Sequence, residues 1–240
     1  MARAKIIIWM ESIVDKLAGS GAYRPRIAVV DYGAGNLRSV SRALLAVGAE
    51  AFITDRPDDI AAADAVVFPG DGAAGSAMRE LARRNLIGSV RDAVRSGRPF
   101  LGVCLGLQVL MSRSDEDGGV ECLDLIPGNV VRLQVSQKIP HMGWNQVRQR
   151  RRHRMFDGVP DDADVYFVHS YVAVPNDPVD VLGETEYDGT FASVIGHGNV
   201  VATQFHPEKS AVVGLRLYRN FVQWVVESAA LPTAAAVERV

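Results

Sequence analysis

The stretch Phe100-Leu101-Gly102-Val103-Cys104-Leu105-Gly106-Leu107-Gln108 decides how the rest of the chain is read. Residues 100–103 form a short apolar run of strand character, and residues 105–111 carry helical spacing with nothing between the two. A strand passing straight into a helix through Gly-x-Cys-x-Gly is the thiol form of a nucleophile elbow. The turn is so tight that a side chain at either glycine would clash. It predicts a sulfur standing clear of the strand end, at a helix N-terminus that favours thiolate and offers the Leu105 N–H to an oxyanion. The same five residues also suit a small buried cysteine at the end of a core strand. The elbow alone leaves both readings open.

Outward from it, strand and helix signals alternate. Residues 27–30 and 65–68 read as buried strands, and residues 37–47 and 78–94 as helices stopped near Gly48 and Gly97. This alternation predicts an α/β fold with a mostly parallel sheet covered on both faces. After Gly118 the strands at 130–135, 165–168, 179–182, 191–195 and 200–204 are separated by Gly, Pro and Asp. The C-terminal half is therefore expected to add antiparallel strands, closed by a helix at 212–226. Residues 1–25 stand apart as an N-terminal extension, with a short amphipathic helix (Ile13, Val14, Leu17) before Gly19-Ser20-Gly21. Residues 26–228 are read as one domain, and the Ala-rich residues 229–240 as a frayed tail.

Composition narrows the function. Apolar residues are 48% and charged residues 22%, with a net charge of −2 and both signs mixed; this excludes a broad nucleic-acid or membrane surface and favours a small or neutral substrate. The one basic run, at 148–154, reads as a solvated loop. Two cysteines, Cys104 and Cys122, make no disulfide framework and fit a reducing cytoplasm. No apolar run approaches the roughly 18–20 residues of a membrane span, and the apolar residues 6–10 are too few for a signal-peptide core.

A cysteine nucleophile needs a base, and the base needs an orienting group. Among five histidines, His206 stands out in His206-Pro207-Glu208, because Pro207 holds His206 extended and residues two apart on extended chain point the same way. Glu208 is thereby predicted to reach the imidazole and stabilise its charged form. A surface His/Glu pair in a loop is the competing reading, and His169 is a second candidate base.

Gly-Val-Cys-Leu-Gly and Gln-Phe-His-Pro-Glu, in this order, resemble the class I, triad-type glutamine amidotransferases, over roughly residues 26–228. The resemblance implies a three-layer, flavodoxin-like fold and glutamine hydrolysis through a cysteine thioester. In it Cys104 is the nucleophile, His206 the base and then acid, and Glu208 the orienter. It implies substrate contacts at Gly70, Gly72, Leu105, Gln108, His169, Ser170 and Tyr171, and neither metal nor cofactor. Within the family, Asp31-Tyr32-Gly33-Ala34-Gly35-Asn36-Leu37, Pro140-His141-Met142-Gly143-Trp144-Asn145, His169-Ser170-Tyr171, Lys209-Ser210 and the apolar Leu107 are similar to glutaminase subunits of histidine biosynthesis. Those pair as heterodimers with a (βα)8-barrel, HisF-like cyclase, to which they pass ammonia. By that resemblance Asn36, Trp144 and Lys209 face the partner. Another amidotransferase acceptor, or a silent partner protein, are the alternative functions. Two departures stand out: Asp71 replaces the apolar residue of the family's Pro-Gly-Val-Gly, and Cys122 and Asp124 stand where glycine is usual.

Overall fold

The computed structural model describes residues 23–230. The expected N-terminal helix, and the tail beyond residue 230, lie outside the described residues.

Five strands build the parallel half of the main sheet: β1 (Arg26–Val30), β2 (Glu50–Thr54), β3 (Ala65–Gly70), β4 (Phe100–Cys104) and β13 (Val200–Thr203), in the order β2-β1-β3-β4-β13. The same sheet continues antiparallel through β12 (Thr190–His197), β11 (Val181–Glu186), β8 (His141–Gln149) and β9 (Ala163–His169). A second sheet joins β10 (Tyr171–Pro175), β7 (Ile126–Arg132), β5 (Met111–Ser114) and β6 (Val120–Glu121). The expected parallel core with antiparallel additions is thus present.

β3, β4 and β13 are buried throughout, so they read as continuous apolar runs rather than alternating ones. The strand period of two divides the core. Ile27 and Val29 pack with helices α1 (Leu37–Ala46) and α6 (Ala211–Ala230) on one face. Ala28 and Val30 pack on the other with α2 (Pro57–Ala62), α3 (Ala74–Arg83) and α4 (Ile87–Arg95).

Three expectations need correction. The single helix at 78–94 is two, because Asn85 adopts φ 57° and the Leu86 N–H closes back on the Leu81 carbonyl, ending α3. The helix expected at 105–111 is a single turn, α5 (Leu105–Gln108), followed by β5. Its continuation is blocked because the carbonyls of Val109, Leu110 and Met111 accept N–H groups from residues 123–126, leaving none for a helical ladder. The basic run is partly strand: Arg148 belongs to β8, and Arg148 and Arg150 pair with Glu184 of β11. Asp124, found where glycine was expected, takes φ 51°, a left-handed conformation that Asp tolerates better than most residues.

Candidate active site

The predicted elbow is present at the C-terminal edge of the parallel strands. Cys104 ends β4 with φ 56° and ψ −112°, a strained conformation of the kind stored at functional sites. Gly106 is required by sterics: a Cβ there would lie 1.9 Å from the carbonyl oxygen of Phe68. The thermodynamic help expected from a helix behind the sulfur is small, since one turn has little macrodipole. What remains is the Leu105 N–H, which as the first helical donor has no partner within its own helix.

Cys104, Leu105, Gln108 and Gly72 line a cavity of about 190 Å³, whose opposite wall is His169, Ser170 and Tyr171. Those are six of the seven expected substrate contacts beside the nucleophile. Gly70 instead packs in the floor, where a Cβ would meet the Tyr32 hydroxyl at 2.5 Å and the Gly106 nitrogen at 2.8 Å. Glu116, which sequence reading did not single out, also lines the cavity. Burial raises the pKa of its carboxyl, and it accepts the Ala74 N–H at 2.7 Å. Eleven residues, including a helical turn and a short strand, separate it from Cys104, so no local pattern announced it. A larger cavity of about 430 Å³, lined mainly by aliphatic residues of β7, β10 and β12, holds none of the candidate triad.

His206 and Glu208 meet as expected, with His206 Nδ1 2.9 Å from Glu208 Oε1 and side-chain exposures of 4% and 1%. The reason differs from the expectation. His206 is extended, but Glu208 lies in a short 3-10 turn, Pro207–Lys209, so the carboxylate folds back onto the ring. The backbone is anchored on β9: the His206 N–H donates to the Tyr166 carbonyl, while the Ser210 hydroxyl donates to the His206 carbonyl and accepts the Tyr166 N–H. Burial works against the imidazolium, but the nearby sulfur of Cys104 and the Glu208 carboxylate outweigh it and push the His206 pKa up to about 10. Its Nε2 has no hydrogen-bond partner among the described residues, which leaves that nitrogen available to exchange a proton with the Cys104 sulfur.

His169 is not arranged as a base. Its Nδ1 lies 3.0 Å from the Tyr171 carbonyl, which can only accept, so Nδ1 carries the hydrogen. Its Nε2 then accepts from His141 Nδ1, also at 3.0 Å. Both ring nitrogens are engaged, and burial drives the pKa down to about 3, with His141 at about 4 for the same cause.

The expected partner-facing residues divide. Trp144 is 54% exposed. It stands edge-on to Tyr166 at 6.2 Å, and Lys209 Nζ lies 5.7 Å over the same ring. Asn36 instead turns inward, with Nδ2 3.5 Å from Glu208 Oε1. Asp71 is exposed, and its Oδ1 accepts the N–H of Gly72 at 2.9 Å. Asp71 lines the cavity beside Gly72 and Cys104 and ties up the Gly72 N–H there. Cys122 is buried, and burial first and then Glu121 push its thiol up to about 11, so it stays protonated and inert.

A thiol at positive φ, a buried imidazole–carboxylate pair and a polar cleft beside them are the parts that cysteine-dependent amide hydrolysis requires. The family model of glutamine amidotransferase class-I matches residues 28–224, and the chain belongs to that family. It is 49% identical over 199 residues to imidazole glycerol phosphate synthase subunit HisH of Moorella thermoacetica, covering 83% of this chain and 95% of that one. The subunit of the same name from Methanothermobacter thermautotrophicus is also 49% identical, over 82% of this chain and 98% of its own. Within the family the chain therefore belongs with the HisH subunits. Among solved structures, PurLQS from Thermotoga maritima shares the fold with TM-score 0.66 at 19% identity, covering 86% of this chain and all of that one.

Proposed function

We propose that Cys104, His206 and Glu208 form the triad of a glutaminase that supplies ammonia to a cyclase subunit in histidine biosynthesis. The observation that carries the reading is the buried His206–Glu208 pair beside a cysteine held at positive φ. His206 takes the thiol proton, and the sulfur attacks the side-chain amide carbon of glutamine. The resulting oxyanion is met by the backbone N–H of Leu105, joined by that of Gly72 once Asp71 Oδ1 releases it. The imidazolium then protonates the departing nitrogen, and the C–N bond breaks to give ammonia and a γ-glutamyl thioester. Water, deprotonated by His206, splits the thioester to glutamate and the free thiol.

Glu116 and Gln108 hold the ammonium group of the substrate, and the backbone at His169, Ser170 and Tyr171 completes its recognition. Residues 26–228 act as one catalytic domain. Trp144, Tyr166 and Lys209 form the face where a (βα)8-barrel cyclase docks as the heterodimer partner, with Asn36 linking that face to Glu208. Among the described residues no helix is long and apolar enough to cross a membrane, and we place the protein in the cytoplasm on the strength of its two unpaired thiols.

The test is glutamate release from glutamine, measured with and without the cyclase and with Cys104→Ala. Hydrolysis that survives Cys104→Ala rejects the mechanism, and full activity without any partner rejects the coupling.

A further inference from the structure

Gln204 sits two residues before His206 and is completely buried, yet neither the triad nor the substrate cleft as described uses it. Its orientation follows from one atom that has a single possible role. The Tyr171 carbonyl can only accept, so the Gln108 side-chain atom 2.9 Å from it is the donor Nε2. That same Nε2 lies 3.1 Å from the Gln204 side chain. A donor there requires an acceptor, so the Gln204 atom is Oε1. The Gln204 Nε2 is thereby turned the other way, 3.9 Å from Cys104 Sγ, a distance suited to a weak N–H to sulfur contact.

Two consequences follow. Tyr171 and Gln204 together use both hydrogens of the Gln108 amide, so Gln108 has only its Oε1 left for the cleft and presents an acceptor there. The sulfur, meanwhile, has a carbonyl on one side, that of Val168 at 3.9 Å, and the Gln204 N–H on the other. The carbonyl suits a thiol that donates. Once the proton has gone, it opposes the charge, and the Gln204 amide is the neutral donor that favours it.

We propose that Gln204 belongs to the catalytic machinery: its N–H steadies the Cys104 sulfur when charged, and its Oε1 positions Gln108 to accept from the substrate ammonium group. The inference rests on Cys104 being the nucleophile.

The experiment uses the full chain with its cyclase partner. Gln204→Glu keeps an acceptor toward Gln108 and puts an oxygen where the N–H stood. Its KM for glutamine is expected to stay within about twofold, while kcat falls about 10- to 100-fold, the effect of losing a hydrogen bond to a charged group. Alkylation of Cys104 by iodoacetamide at neutral pH slows about tenfold or more. Gln204→Leu removes both contacts and raises KM as well. Wild-type kcat and alkylation rate in Gln204→Glu would overturn the proposal, as would a KM rise of equal size in both variants. Thermal melting reports whether the variants fold. If they do not, the wild-type chain labelled with 15N-glutamine decides: alkylating Cys104 must move the Gln204 side-chain amide signals, and signals that stay in place refute the contact. Cys104→Ala separates the two levels, because an inactive Cys104→Ala beside an unaffected Gln204→Glu rejects this inference alone.

Discussion

Replacing Glu208 by glutamine has an outcome that the local hydrogen bonds specify. In serine triads the corresponding amide substitution inverts the histidine tautomer and lowers kcat about 10⁴-fold. Here the carboxylate is held differently. Oε1 receives both His206 Nδ1 at 2.9 Å and Asn36 Nδ2 at 3.5 Å, so two donors select a carbonyl oxygen at that position. Among the described residues, Oε2 is buried without a partner within bonding distance, and so is the hydroxyl of Tyr218. That hydroxyl is buried and feels Glu208, which together raise its pKa well above the usual range. In Glu208→Gln the new side-chain NH₂ would therefore turn toward Tyr218, whose oxygen can accept, and His206 would keep its tautomer. The loss is then the charge alone, about 1–1.5 kcal/mol, the difference between a hydrogen bond to an ionised group and one to a neutral group. At about 1.4 kcal/mol per tenfold, kcat falls roughly 5- to 12-fold. The assay is steady-state glutamate release by the complex with saturating glutamine, with thermal melting as a control for folding. A fall near 10⁴ would show that the tautomer had inverted, refuting the reasoning from Asn36 and Tyr218. A rate within about threefold of wild type would show that the Glu208 charge is not used.

Further outcomes follow from other parts of the molecule. Gly106→Ala places a methyl 1.9 Å from the Phe68 carbonyl, in the middle of a paired strand that cannot yield; urea unfolding should show a loss of about 3 kcal/mol or more, and an unchanged midpoint would contradict the packing. Trp144→Ala, at a half-exposed position, should leave unfolding free energy within about 0.5 kcal/mol but weaken cyclase binding at least about tenfold by calorimetric titration. Equal binding would remove Trp144 from the interface. Asp71→Val frees the Gly72 N–H, and glutaminase turnover in the absence of cyclase is expected to rise; an unchanged or lower rate would mean that this N–H does not serve the oxyanion. His141 and His169 have folded pKa values of about 4 and about 3, below the roughly 6.5 of the unfolded chain. Protons therefore favour the unfolded state as pH falls below that value, and stability is fully present above it and lost progressively toward pH 4. Each group contributes up to about 1.4 kcal/mol per pH unit; a flat denaturation profile between about pH 7 and 4.5 would show that these rings are not held neutral.

Much of the active centre was readable from sequence because its constraints are local. A strand turning at once into a helix demands glycine on both sides of Cys104, and Pro207 restricts His206 whatever lies around them. Apolar runs likewise announced four of the five parallel strands, β1, β3, β4 and β13, which are buried at all or nearly all positions. Strands whose pattern is half polar were missed: β2, β8 and β10 carry exposed or intermediate residues at most positions, and their identity comes from neighbours that pair with them.

Sequence alone therefore picked out Cys104, His206 and Glu208 as the candidate triad, since the sterics of the elbow and of Pro207 are properties of consecutive backbone, whereas the 3-10 turn that folds Glu208 back onto the ring was not in the spacing. Tertiary structure decided what surrounds them. The carbonyls taken by residues 123–126 cut the helix after Gln108 to a single turn. Contacts spanning 172 residues from Asn36 to Glu208 and 96 from Gln108 to Gln204 set the charge and the hydrogen-bond direction at the triad. Such contacts depend on which side chains the sheet order brings face to face, and no spacing along the chain encodes that.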